Sequence, residues 1–369
     1  MRWRAVRVIV ALVAALMVGF TTAYVASGEV RYLTRAGLEE TQILTERKAI
    51  TRVLRQDDLD PAVRGQLELV LEARDAAAGL GLDAGDTYTQ YTDVGRDTLL
   101  LVLSASPADC LCPVTWKYPI VGRVPYKGFF DVGMARKEAD KLDARGLDTY
   151  LRPSGAFSTL GWFNDPLLST ALGGDSVEVA ALVFHEVAHN TLYVKSATPF
   201  NETFAQMVGY RSAEAFFEAR GDSAHARRAA DRWHDELVLA AFYDSLSTRL
   251  TALYGSHPDS ATLALGRAEA GSWAREELEG PVAGELRTIQ VGRVADRPVN
   301  NARLIAARIY RTRSGLFEEW YLQNDSDVRL AVERLRVLMA GAEGDSAFAR
   351  LEEALRPAEP QADSVPASP

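Results

Sequence analysis

One stretch, Ala181-Leu-Val-Phe-His-Glu-Val-Ala-His-Asn-Thr-Leu-Tyr193, limits what this chain can be more than any other. Its apolar composition reads as a buried helix. An α-helix advances about 3.6 residues per turn, so His185 and His189 leave one face, one turn apart. Two imidazoles so placed can hold a zinc ion, with Glu186 beside them to take a proton from the attacking water. The chain has five histidines, and two of them fall in this H-E-x-x-H pattern. The signal is strong, although these few residues alone do not make an enzyme.

A hydrolytic zinc site needs a third protein ligand and one open position. A third histidine six residues on, after a glycine, is excluded because Leu192 and Lys195 stand at those places. A glutamate on the following helix is the other arrangement. Glu202 lies thirteen residues past His189, within Asn201-Glu202-Thr203-Phe204-Ala205. Tyr193 to Thr198 turns the chain, and Pro199 opens a new helix where its missing N–H does no harm. Glu202 in the first turn can then face the histidines, and Ala205 lets the two backbones approach. Two plainer readings compete: Glu202 complements only the positive end of its own helix, or Glu178, two turns before His185, is the ligand.

Arg2, Arg4 and Arg7 precede an apolar run from Val8 to about Ala26. A positive start and an apolar stretch near bilayer length read as an uncleaved signal anchor, with a cleaved signal peptide as the alternative. Arginines stay on the cytoplasmic side, which places the rest of the chain outside the cytoplasm. The net charge of −9 argues against a nucleic-acid partner. Cys110 and Cys112 are the two cysteines; a strained disulfide and two free thiols are both open readings.

The expected fold is α+β. Residues 1–27 form the anchor or signal. Residues 28–175 form an α+β subdomain with helices over 29–56 and from Pro61 to the Gly79 break, and a small antiparallel sheet. Its strands are expected at 98–104, within 114–124, and at 147–151 and 156–162, with a helix capped by Asp131. Past Pro166 no strand is expected. Residues 176–357 form a helical, zincin-like subdomain with helices at 176–193, from Thr198, 223–254, 260–290, 299–313, 315–322, 325–341 and 345–356. His225 and His234, on a charged helix with Arg227, Arg228, Asp231, Arg232, Asp235 and Glu236, read as a solvated face, and Asn300 and Asn301 read as helix-capping residues, with Asn301 as N-cap before Ala302. Residues 358–369 form a disordered tail.

Taken together, His185-Glu186-x-x-His189 and Asn201-Glu202-x-x-Ala205 resemble the bacterial, envelope-associated family of zinc aminopeptidases of gluzincin type. Gly122-Arg-Val-Pro-Tyr-Lys-Gly-Phe-Phe-Asp131, Phe157-Ser-Thr-Leu-Gly-Trp-Phe163 with Asp165-Pro166, Tyr193-Val-Lys195, and Asn300-Asn-Ala302 followed by Tyr310 resemble it too. The resemblance implies hydrolysis of peptide bonds with one Zn2+ held by His185, His189 and Glu202, and Glu186 as general base. It puts Tyr310 first as oxyanion donor, ahead of Tyr193 and His234. It places a substrate-pairing edge strand at Ser158, Thr159, Leu160 and Gly161. A seat for the substrate's α-ammonium would come from Glu178, Asp165 or Glu214. Gln206 stands where related enzymes place an aspartate, so support for a ligand histidine is expected from elsewhere. The chain lacks the N-terminal lipoprotein cysteine of many members. An envelope endopeptidase and a non-catalytic scaffold with a structural zinc remain the alternatives.

Overall fold

A 25-residue helix, α1 (Arg2–Ala26), begins the chain in the computed structural model, which describes residues 2–118, 122–155, 166–292 and 298–356. Within α1, Val6–Ala26 is long and apolar enough to cross a membrane, and none of it is buried. It could serve as a signal anchor or a signal peptide. Ser27 separates α1 from α2 (Gly28–Glu46), its hydroxyl accepting from the Val30 N–H. Arg31 donates to the carbonyls of Tyr24 and Val25, at 2.9 and 2.8 Å, and so satisfies the end of α1. The helix expected over 29–56 stops at Glu46. A two-residue strand, β1 (Lys48–Ala49), and a single turn, α3 (Ile50–Val53), follow it. Strand pairing and the bond from Ile50 N–H to Thr89 O hold this segment and override its local helical periodicity. The next helix, α4 (Pro61–Gly79), ends at the expected glycine.

The protein is α+β and divides into two units. One comprises Met1–Val63, Tyr88–Gly173 and Asn300–Arg303; the other comprises Arg64–Thr87, Gly174–Val299 and Leu304–Pro369. The first unit carries three small sheets among its described residues. β3 (Leu100–Pro107) is central, antiparallel to both β6 (Lys127–Phe129) and β7 (Leu147–Ser154). The amphipathic helix α5 (Val132–Asp143) covers it, capped by Asp131, which accepts from the Met134 N–H at 2.7 Å. Leu103, Ala105, Phe129, Ala135, Ala139 and Leu142 form the core between them. β4 (Trp116–Tyr118) and β5 (Gly122–Val124) make a separate antiparallel pair.

The third sheet corrects two expectations. β1 pairs antiparallel with β2 (Gln90–Thr92), and β2 pairs parallel with β8 (Leu167–Leu168). The sheet is therefore not purely antiparallel, and a strand does follow Pro166. Leu167 and Leu168 are both buried, which rewards pairing even in so short a segment. Cys110 and Cys112 are paired in a disulfide. Asn300, not Asn301, caps α11 (Asn301–Arg308), accepting from the Arg303 N–H at 2.8 Å. Asn301 is buried and instead donates to the carbonyls of Pro107 and Cys110. The strand expected at 156–162 and the tail expected at 358–369 lie outside the described residues.

The second unit is helical. Its centre is α6 (Ser176–Thr191), packed against α7 (Thr198–Ala219) and α8 (Ser223–Gly255). The helix expected over 260–290 divides into α9 (Ser260–Glu277), a π-turn at Leu278–Val282 and α10 (Ala283–Glu285). Pro281 sits in that π-turn, where a ring without an N–H cannot continue the regular ladder. α12 (Ser314–Gln323), α13 (Val328–Leu338) and α14 (Ser346–Leu355) complete it. The Phe317 ring lies 5.1 Å from Phe200 and 6.2 Å from Phe348, which ties α12, α7 and α14 into one aromatic core.

Candidate metal centre

Asp175 begins α6, its carboxylate accepting from the backbone N–H groups of Val177 and Glu178 at 3.0 Å. Burial opposes its charge, but those bonds and the neighbouring Arg228 hold its pKa below the usual value. Val179, Ala180, Val183, Phe184, Val187 and Ala188 are all buried, so this helix is fixed on several sides by packing. His185 and His189 emerge from the remaining stripe, with ring centroids 4.9 Å apart and planes at 87°.

The link from α6 to α7 sets where Glu202 points. Asn201, fully buried, accepts from the Val194 N–H and donates to the Val194 carbonyl, both at 2.8 Å. Its amide therefore replaces the peptide partner that a buried turn would otherwise lack. Ser196, in the left-handed region at φ 60°, completes the reversal. Glu202 then faces α6, its two oxygens 3.5 Å from His185 Nε2 and 3.7 Å from His189 Nε2.

Farther along α7 the two helices come close. A Cβ placed on Gly209 would lie 2.8 Å from the Ala181 carbonyl oxygen and 3.4 Å from His185 Cβ. Ala205, where a close approach was expected, is buried. The sequence clue was a glycine in the middle of a helix, seven residues after Glu202 and so on a similar face. Gln206 supplies a correction. Its side chain is near enough to His185 to help raise that histidine's pKa, so an influence on that ligand comes from the very position where an aspartate was missing.

Donor atoms of His185, His189 and Glu202 all lie within 4.8 Å of one another, a group that could hold a metal ion. The spacing is compatible with ligands around one metal ion. Direct N–H···O bonds run about 2.7–3.2 Å. Ligands about 2.0–2.1 Å from a tetrahedral zinc stand roughly 3.4 Å apart, close to the 3.5 and 3.7 Å seen here. In addition, His189 Nδ1 is buried without a hydrogen-bond partner, so no neighbour commits that ring to a protonated state.

Electrostatics fits the same set. Burial works against a charge on His185, yet the carboxylates of Glu202 and Glu186 and the Gln206 side chain outweigh it and raise its pKa. Burial, reinforced by the nearby His185, brings His189 down to about 4. Glu202 is also desolvated, but the two histidines keep its pKa below the ordinary carboxylate value. Near neutral pH, His189 is a neutral donor and Glu202 an anionic one.

Among the other candidates, the Tyr310 ring centroid lies 6.2 Å from that of His185, and Tyr193, largely exposed, lies 6.3 Å from His189. His234 instead meets the Glu285 carbonyl at 3.2 Å. Glu178 pairs with Arg232 and Glu214 with Arg211, each at 2.8 Å. Neither is therefore an uncommitted carboxylate, and Glu178 is not in the metal group. Ser158, Thr159, Leu160, Gly161 and Asp165 lie outside the described residues. The solvated face expected on α8 is corrected at two positions: Asp235 and Glu236 are buried. Asp235 receives the N–H groups of Arg287, Thr288 and Ile289 and the Thr288 hydroxyl. Glu236 faces Arg311.

A family model described as "putative aminopeptidase" matches residues 31–347. Searches of curated proteins and of solved structures return no match.

Proposed function

The chain belongs to this aminopeptidase family, and from that premise we propose that it is a zinc-dependent aminopeptidase acting outside the cytoplasm, tethered by its N-terminal helix. One observation carries the metal part of the reading: two imidazole nitrogens and a carboxylate converge at metal-ligand spacing on facing helices. A structural zinc is normally closed by four protein ligands. Among the described residues this group supplies three, which favours a site with one position left for chemistry.

His185 and His189 would bind through Nε2, and Glu202 through a carboxylate oxygen. Gln206 would orient the ring of His185, and Asn201 fixes the turn that delivers Glu202. When bound, zinc would lower the pKa of water toward about 7 and polarise the scissile carbonyl. Glu186 follows His185 by one residue, and its charge reaches that ring. In this role it accepts a proton as water attacks the carbonyl carbon, and then delivers it to the departing amine. Tyr310 donates its phenol hydrogen to the oxygen that gains charge.

The test uses the full chain in detergent, with metal content and turnover measured on amino-acid arylamides and on N-blocked peptides. Glu186→Gln should keep its zinc and lose activity by a factor of about 100 or more. Turnover of unblocked substrates alone identifies an aminopeptidase. Cleavage of blocked peptides identifies an endopeptidase, and zinc without turnover on either identifies a scaffold.

A further inference from the structure

Arg311 follows Tyr310 directly, and its surroundings are unusual for a surface turn. Glu236, on α8, is buried, with only 5% of its surface exposed. Arg311 Nη2 donates to its Oε1 at 2.9 Å, and Arg311 Nε stands 2.6 Å from its Oε2 as an ion pair outside hydrogen-bond geometry. Arg311 Nη1 also donates to the Ala307 carbonyl at 3.1 Å, and the guanidinium carbon lies 5.9 Å from the centre of the Tyr243 ring. The turn closes at Arg313, whose left-handed φ of 54° is uncommon for a residue with a side chain. A carboxylate–guanidinium pair whose carboxylate is buried is costly to desolvate and contributes orientation more surely than stability. The neighbouring Asp235 holds the 287–289 turn by a comparable cluster of bonds, so α8 anchors two turns from successive residues.

We infer that Glu236 and Arg311 form a clamp that positions Tyr310 beside His185 for its part in the reaction. The inference rests on the proposed role of Tyr310 and adds residues that touch neither metal nor substrate. The logic is geometric. The side chain of the residue next to Tyr310 is held by hydrogen bonds to Glu236 on α8 and to the Ala307 carbonyl on α11, which restrains the turn that carries Tyr310. Its ring is thereby held 6.2 Å from that of a ligand histidine. Neutralising Glu236 leaves a guanidinium facing an amide and frees the turn.

The experiment is a double-mutant cycle on the full chain. Tyr310→Phe and Glu236→Gln are made singly and together, with Arg311→Lys as a second probe of the clamp that keeps the charge and loses the fork. Each protein is assayed for zinc content, for kcat and KM on an amino-acid arylamide, and for calorimetric binding of a phosphinic dipeptide. Tyr310→Phe should lower kcat by about 100-fold or more. Glu236→Gln and Arg311→Lys should lower it by roughly 10–100-fold with KM and zinc little changed. In the Tyr310→Phe background Glu236→Gln should add almost nothing, and phosphinate affinity should follow the same pattern. Equal losses from Glu236→Gln in both backgrounds would overturn the clamp while leaving Tyr310's role intact. Full activity in Tyr310→Phe would remove that role and the clamp together. Should Glu236→Gln fail to fold, the cycle is read from Arg311→Lys.

Discussion

Gly209→Ala is the most searching perturbation available, because one methyl group is set against two opposing effects. In an exposed helix interior, alanine in place of glycine stabilises by about 0.5–1 kcal/mol. Here the new Cβ would sit 2.8 Å from the Ala181 carbonyl oxygen. Carbon–oxygen contacts normally begin near about 3.3 Å, so α6 and α7 must part locally by roughly 0.5 Å. Overpacking of this kind costs about 1–3 kcal/mol. The clash wins, and the variant is expected to melt a few degrees lower, at about 2–4 °C per kcal/mol. Its larger effect falls on the metal centre. Ala181 is one turn from His185, and Gly209 is two turns from Glu202 on the opposing helix. Separation there widens donor gaps that already stand at 3.5 and 3.7 Å. Constellations of this kind tolerate only about 0.5 Å of displacement. Zinc affinity, measured by competition with a chromophoric chelator, should fall by roughly 10–100-fold, the range found when ligand support is disturbed. Gly65→Ala, on α4 with nothing within 4 Å of the new Cβ, is the control and should gain stability without touching zinc binding. If Gly209→Ala gains stability as the control does and binds zinc like the wild type, the close approach does not govern the site.

Two further outcomes test buried polar anchors of the helical unit. Asn201→Ala removes both partners of the Val194 peptide group from a buried turn. It should cost about 2–4 kcal/mol in urea denaturation, since unsatisfied buried groups cost about 1–3 kcal/mol each. Asp235 is desolvated, but the Thr288 hydroxyl and three backbone N–H groups outweigh this and depress its pKa. A depressed carboxyl stabilises the fold fully above its unfolded-state value of about 3.9, and loses that contribution as pH falls through the lower folded value. The stability advantage of wild type over Asp235→Asn should therefore be constant from pH 7 to 5 and shrink as the pH falls below 4. An advantage that grows on acidification would refute the assignment.

Short-range order was legible in the sequence wherever one residue suffices to state it. Asp131 and Pro199 mark their helices, Gly79 ends one, and His185, Glu186, His189 and Glu202 announce themselves by type and spacing. What escaped depends on partners distant in the chain. β8 exists because two leucines find β2, more than seventy residues earlier, and no local pattern encodes that pairing. α2 stops at Glu46 for the same reason, since Ile50 is claimed by Thr89. Asp235 and Glu236 read as a solvated face because charge usually means water. Their real partners, the 287–289 backbone and Arg311, lie more than fifty residues away. The candidate site was thus readable as a list of donors, while its rigidity was not. Asn201, Gln206 and Gly209 lie within one short stretch of α7, and their roles appear only once α6 and the turn before α7 are laid against it. Metal affinity depends on both. Three donors on a loose scaffold lose much of their advantage to the entropy of assembling them, so substitutions at these three supports should weaken zinc binding with every ligand still in place.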